Sequence, residues 1–338
     1  MSEVHVVVPE GIDDPARPSG GNRYDRRVCD ELTAAGWAVH EHGVAGRAAL
    51  AQTVERLPDD AAVLLDGLVA TGEPETLVPH AARLREVVLV HMPLGHRPAD
   101  ADARAREQAV LRAADAVVTT SAWTRRRLAE LYGLGGERMH VAPPGVDAAD
   151  VAPGSPSGGA LLCVAAVTRD KGHDVLLEAL SAIGDLPWQC VCVGSLERDR
   201  AYADALRARH DGRVRFRGAR TGPALEDAYA QADLLVLPSR AEAYGMVVTE
   251  ALARGLPVLA TDVGGVHEAL GAAPDGTRPG LLVAPGDARA LAAALRAWLT
   301  EADLRARLRQ AARERRAALR GWPATAAVIA RVLEGAAR

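Results

Sequence analysis

The sequence predicts an α/β protein built from two Rossmann-like domains. Three observations carry this expectation. Its 338 residues are too many for one ordinary core and suit two domains of about 150 residues each. Short, continuously apolar runs alternate with amphipathic segments along the chain, the mark of parallel strands buried on both faces by helices. The alternation stops once, at a stretch of glycine, proline and serine (Ala148 to Gly159, AADVAPGSPSGG), and then restarts, which reads as an interdomain linker.

In the first half the strand-like runs are Val4–Val8, Ala62–Leu65, Val87–Val90, Ala116–Val118 and Met139–Ala142. Between the first two, Val28, Leu32 and Ala35 recur at helical spacing from Tyr24 on, and Gly36 can supply the left-handed stop. After the linker come Leu161–Val167, Gln189–Val193, Val214–Phe216, Leu234–Leu237, Val258–Ala260 and Leu281–Val283. A long helical stretch, Leu291 to Leu319, precedes Trp322, Pro323 and a last amphipathic helix. The expected domains are residues 1–150 and 158–320, with a final helix at 322–336.

Charged residues make up 25% and hydrophobic ones 49%, a soluble globular balance. No apolar run nears the ~18 residues of a bilayer span, so no stable membrane insertion is expected. Met1-Ser2-Glu3 passes straight into Val4 without a basic leader, which points to a cytoplasmic protein. Cys29, Cys163, Cys190 and Cys192 lack the paired turn spacings of a zinc site and read as reduced core cysteines. Residues 1–152 hold 16 arginines against 23 acids, a balance of −7, and the remainder balances at +3. An acidic front half argues against nucleic acid as a partner. Arginine outnumbers lysine 39 to 1, and asparagine also occurs once. The single Lys171 and the single Asn22 therefore stand against the composition, and both follow apolar strands on glycine-containing segments.

Ligands of open α/β sheets bind at the carboxyl ends of strands. The segments there are Ser19-Gly20-Gly21-Asn22, His91-Met92-Pro93, Thr168-Arg169-Asp170-Lys171-Gly172 and Ser239 to Gly245. The last is the most informative: a strand ends at Leu237, a polar loop carries Glu242, and a helix containing Glu250 starts near Gly245. Backbone N–H groups at such a helix start form a ready anion site. Each carboxylate can accept hydrogen bonds from a pair of hydroxyls.

The Glu242-x7-Glu250 stretch resembles the signature of family 4 of the retaining GT-B glycosyltransferases. Pro238-Ser239, Glu250-Ala251, Gly255-x-Pro257-Val258, Gly264-Gly265 and Gly280-Leu281-Leu282-Val283 fit the same pattern, as do Gly20-Gly21, Pro144-Gly145-Val146-Asp147 and Trp322. The likeness runs from about residue 19 to 335 and is most specific in the second half. It implies two Rossmann-like domains facing a central cleft, with the last helix crossing back to the first domain. By the same resemblance, Glu250 would hold the ribose hydroxyls of a UDP- or GDP-sugar. Glu242 would bind hydroxyls of the transferred hexose, helped by the N–H groups of Tyr244, Gly245, Met246 and Val247. Lys171 and Arg169 would neutralise the diphosphate, Gly20 and Gly21 would let backbone approach it, and His91 would lie against the sugar. Asn22, His91 and Arg97 are the expected acceptor-side residues. The family arginine at the strand end is Ala166 here, so Arg169 has either taken its place or is a solvated loop residue.

A retaining transfer in which the leaving phosphate accepts the acceptor's proton needs no protein nucleophile, no cofactor and no metal. Asp100-Ala101-Asp102 spells the metal motif of the other major glycosyltransferase fold but lies in an expected helix, and Arg125-Arg126-Arg127 reads as a solvated helix face. The acidic first half favours a soluble acceptor that is neutral or cationic. An epimerase of the same fold and a non-catalytic nucleotide-sugar binding protein remain the rival readings, and the oligomeric state is open.

Overall fold

The computed structural model describes residues 2–15, 18–96, 101–209 and 212–336. Two compact units form, one from Ser19–Gly145 with the chain's two ends, the other from Val146–Arg320. The first runs β1 (Glu3–Pro9), α1 (Gly20–Ala34), β2 (Ala38–Val44), α2 (Arg47–Arg56), β3 (Ala62–Asp66), α3 (Gly67–Ala70), α4 (Pro74–Leu77), β4 (Arg85–Val90), α5 (Ala101–Ala113), β5 (Ala116–Thr119), α6 (Ala122–Tyr132) and β6 (Met139–Val141). All six strands are parallel, in the order β2-β1-β3-β4-β5-β6. Central strands such as β3 and β4 are buried almost throughout, which is why they read as unbroken apolar runs.

The second unit runs β7 (Ala160–Val164), α7 (His173–Ser181), β8 (Gln189–Val193), α8 (Arg200–Arg207), β9 (Val214–Phe216), α9 (Pro223–Ala230), β10 (Leu234–Leu237), α10 (Met246–Ala253), β11 (Val258–Thr261), α11 (Val266–Leu270), β12 (Gly280–Val283), α12 (Ala288–Thr300) and α13 (Ala302–Arg316). Its strands are again all parallel, in the order β12-β11-β10-β7-β8-β9. Counted from β7, this is the 3-2-1-4-5-6 arrangement of dinucleotide-binding sheets. Each sheet has one point where the winding reverses, between β1 and β3 in the first unit and between β7 and β10 in the second. Loops diverge there at the carboxyl edge and leave room for a ligand.

Two elements differ from expectation. Strand β2, AVHEHGV, is an edge strand with only one residue buried, so its polar residues hid it from an apolar-run reading. The expected continuous helix 291–319 is two helices that break at Glu301, whose extended ψ of 98° ends α12 without glycine or proline.

The buried Asp233 closes the segment that enters β7. Its carboxylate accepts from Ser155 N, from Ser155 Oγ at 2.7 Å and from Ala160 N at 2.9 Å, and Arg309 pairs with it at 3.0 Å. All four cysteines are buried and free.

The last helix, α14 (Trp322–Gly335), belongs to the first unit. Trp322 is fully buried and meets the Tyr24 ring edge-on at 5.7 Å, and the Tyr24 hydroxyl donates to Ala142 O at 2.9 Å. A Cβ on Gly145 would overlap the Trp322 backbone, so glycine is required there. Replacing Trp322 with Ala removes an aromatic from a sealed site. The expected loss is about 3–5 kcal/mol, read from the denaturation midpoint of the first unit, with Trp322→Phe losing less. A loss below about 1 kcal/mol would show that this contact does not hold α14.

Candidate functional site

In the second unit, the reversal point brings together the loops after β7 and β10. The first makes a short turn, Arg169–Lys171, and ends at Gly172 in the left-handed region, φ 67°. A Cβ on Gly172 would overlap the Pro238 carbonyl oxygen, so the two loops meet only because this residue is glycine. Arg240 completes the joint. Its N–H donates to Asp170 O at 2.7 Å, its side chain to Arg169 O at 2.7 Å, and it forks onto Asp174 with both contacts at 2.8 Å. That guanidinium holds the Asp174 carboxyl well below the usual carboxylate range.

Within this frame Lys171 Nζ lies 2.7 Å from Glu242 Oε1, with side-chain exposures of 24% and 13%. Ser239 Oγ donates to the same oxygen at 2.8 Å. Burial alone would lower the Lys171 pKa, but the charge and hydrogen bond of Glu242 outweigh it and raise it. The ammonium is therefore a fixed cation at the mouth of the loop. Glu242 is held from behind as well: Gly265 N donates to its backbone oxygen at 3.3 Å, and a Cβ on Gly264, φ 57°, would overlap that oxygen.

Helix α10 begins beside the pair. Gly245 caps it with φ 90° and ψ 63°. The N–H groups at the first helical positions have no intrahelical acceptor, so the turn from Tyr244 through Met246 and Val247 offers donors and the positive end of the helix dipole. Burial pushes the Tyr244 hydroxyl up to about 12. One helical side farther in, Glu250 is 7% exposed and accepts from the Tyr229 hydroxyl at 2.8 Å. Arg254 lies over the Tyr229 ring at 4.4 Å and donates to Glu250 O, which fixes both groups. Arg169 goes elsewhere: its side chain is 79% exposed and its guanidinium sits over the Tyr202 ring at 5.1 Å. The cation beside Glu242 is Lys171.

In the first unit, Gly20, Gly21 and Asn22 form the first turn of α1 rather than a loop. Ser19 caps it, its hydroxyl accepting from Asn22 N at 3.1 Å. Gly21 backs onto His91, and a Cβ there would stand 3.3 Å from the imidazole. His91, which follows β4, has Nε2 at 2.8 Å from Asp25 Oδ1 and 3.4 Å from Asp66 Oδ2. Arg97 and Asp100 lie outside the described residues. Asp102 is on α5, 82% exposed and paired with Arg106 at 3.1 Å.

The sequence reading gave no role to Asp25, Asp66, Ser239 or Tyr229. Asp25 had left a signal. It stands three, four and seven residues before Val28, Cys29 and Leu32, all buried, so a carboxylate occupies the apolar face of α1.

Residues 155–315 match the family described as glycosyl transferases group 1, and residues 3–150 match glycosyltransferase family 4. A D-inositol 3-phosphate glycosyltransferase of Kineococcus radiotolerans is 33% identical over 260 residues, covering 69% of this chain and 60% of that protein. One of the same name from Xylanimonas cellulosilytica is 34% identical over 245 residues, covering 66% and 57%. The match thus spans about 60% of these relatives' own length. Among solved structures, sucrose-phosphate synthase from Thermosynechococcus elongatus superposes with a TM-score of 0.80 at 23% identity, covering 99% of both chains. HepE of Anabaena, in complex with UDP and glucose, gives 0.77 at 18%, covering 99% of this chain and 100% of that one. These two likenesses establish the fold.

The glycine joints make a direct prediction. Gly264 and Gly286 both have positive φ, 57° and 74°, but only Gly264 has backbone where a Cβ would go. Alanine at Gly286 should cost about 1–3 kcal/mol, the range for local backbone strain. Alanine at Gly264 should cost clearly more, because the Glu242 loop must move. Equal losses in denaturant titrations would show that Gly264 does not brace Glu242.

Proposed function

The chain belongs to family 4 of the GT-B glycosyltransferases, and from that premise we propose that it moves a hexosyl unit from a UDP- or GDP-sugar to a small soluble acceptor, with retention and without a metal. The observation that carries this reading is the Lys171–Glu242 pair at the reversal point of a dinucleotide-type sheet, beside the start of α10. In a nucleotide sugar the anomeric carbon is joined to the diphosphate through one oxygen. A phosphate-binding cation and a carboxylate for sugar hydroxyls must therefore lie side by side.

In the proposed reaction Lys171 and the N–H groups from Tyr244 to Val247 stabilise charge as it builds on the departing diphosphate. Glu242 accepts hydrogen bonds from the hexose hydroxyls, and Glu250, steadied by Tyr229, accepts them from the ribose hydroxyls. The anomeric C–O bond to phosphate breaks while the acceptor oxygen bonds on the same face. The acceptor's proton passes to the leaving phosphate oxygen, so the products are a glycoside and a nucleoside diphosphate.

The excess of acids in residues 1–152 supports a neutral or cationic acceptor, such as a polyol or an amino sugar. A second reading, a phosphorylated polyol, is favoured by the name of the relatives, D-inositol 3-phosphate glycosyltransferase. No helix among the described residues is long and apolar enough to cross a membrane.

Purified protein should slowly hydrolyse one member of a UDP- and GDP-sugar panel, and inositol, inositol 3-phosphate and an amino sugar then separate the acceptor classes. Lys171→Ala should lower turnover by roughly 10²–10³-fold, as for a lost group that stabilises developing charge. Glu250→Ala should weaken nucleoside diphosphate binding by about 1–3 kcal/mol. Activity should survive excess EDTA. Loss restored by manganese would overturn the metal-free site, and wild-type affinity in Glu250→Ala would remove that residue from the ribose.

A further inference from the structure

The carboxyl edge of the first sheet holds a second group of charged residues. Asp66 ends β3, His91 follows β4, and Asp25 reaches in from α1. β3 is at the reversal point and β4 is its neighbour, so three elements deliver these side chains to the place where such a sheet binds ligands. Asp25 and Asp66 are 2% and 4% exposed, whereas the His91 side chain is 21% exposed. The carboxylates are thus behind the ring, and the ring is the part that meets solvent.

Both carboxylates address the same ring nitrogen, Nε2, at 2.8 and 3.4 Å. Nδ1 has no hydrogen-bond partner among the described residues. The ring cannot swing away. Tyr24 packs edge-on against it at 5.1 Å, Gly21 lies under it, and Thr120 donates to the His91 backbone oxygen at 3.5 Å. The Asp66 carboxylate is itself fixed by the N–H of Leu68 at 2.5 Å.

We propose that Asp25 and Asp66 are positioning residues that fix His91 as a hydrogen-bond donor through Nδ1, so that it supports an oxygen of a ligand bound at this sheet edge and does not act as a base. The role in transfer rests on the function proposed above; the state of the ring does not. Two buried acids on one nitrogen favour a positive charge between them, and the imidazolium supplies it. Burial alone would push the imidazole down, but the charge and hydrogen bonds of Asp25 and Asp66 win and hold it up at about 10. Burial pushes Asp25 up to about 7, with His91 countering it in part and the neighbouring Asp66 adding to it. Burial also opposes ionisation of Asp66, but His91, a hydrogen bond with Asp25 and the Leu68 N–H prevail and bring it down. The groups that act on the ring are these two acids, with the Tyr24 ring packed against it. A ring with both nitrogens protonated has no lone pair to accept the acceptor's proton, which agrees with a reaction in which the phosphate takes it.

Nitrogen-labelled histidine in the full chain allows the test, with His91 assigned by its disappearance in His91→Asn. In wild type, both His91 ring nitrogens should carry protons at about pH 7.5, a full unit above the ordinary imidazole value of about 6.5. Asp66→Asn and Asp25→Asn should each bring the titration down at least about tenfold in proton affinity, with Asp66→Glu recovering part of it. The wild-type measurement stands even if a variant fails to fold. A neutral ring with bare Nδ1 at that pH, or a midpoint unmoved in folded variants, would overturn the proposal. A protonated ring in a protein that turns over no donor would leave the positioning role intact and count against glycosyl transfer instead.

Discussion

The loops that carry Lys171 and Glu242 depend on two places where backbone lies where a glycine's missing Cβ would be. Gly172 against Pro238 joins the loop after β7 to the loop after β10, and Gly264 against Glu242 joins the latter to the turn before α11. With these joints made, Lys171 and Glu242 meet at 2.7 Å and Gly245 can start α10. Without them the same side chains would hang on separate loops, each free to lose its geometry to side-chain entropy. The chemistry of the site is thus set by backbone packing before any charge is considered.

Charge is handled differently in the two units. The pair in the second is partly open, and on the proposed function its cation would face phosphate and its carboxylate the sugar hydroxyls. The cluster in the first is layered, with two buried carboxylates at the back and one imidazole at the front. A buried carboxylate without a partner is costly, so the imidazole's position is dictated from within. Both arrangements lie at the carboxyl edge beside a winding reversal, where a parallel sheet leaves a gap between diverging loops.

The fold was legible because parallel strands covered on both faces must be apolar throughout, as in Leu234–Leu237 and Val87–Val90. Edge strand β2 escaped for the same reason in reverse, since exposure lets it carry His40, Glu41 and His42. The segments holding Lys171 and Glu242 stood out through the rarity of lysine and the Glu-x7-Glu resemblance. Their meeting did not, because it joins residues 71 apart in the chain. Asp25 and Asp66 were overlooked one at a time. An acid in an amphipathic helix and an acid ending a strand are each ordinary, and only the tertiary fold brings His91 to both.

The proposed function turns on Lys171 holding the diphosphate of a nucleotide sugar. Calorimetry can isolate that contact by comparing a nucleoside diphosphate with its monophosphate in wild type and in Lys171→Ala, a cycle that cancels base and ribose contributions. Wild type should prefer the diphosphate, and the preference should fall at least about tenfold in the variant, roughly 1.4 kcal/mol, while monophosphate affinity is unchanged. A preference that survives the substitution in full would contradict it.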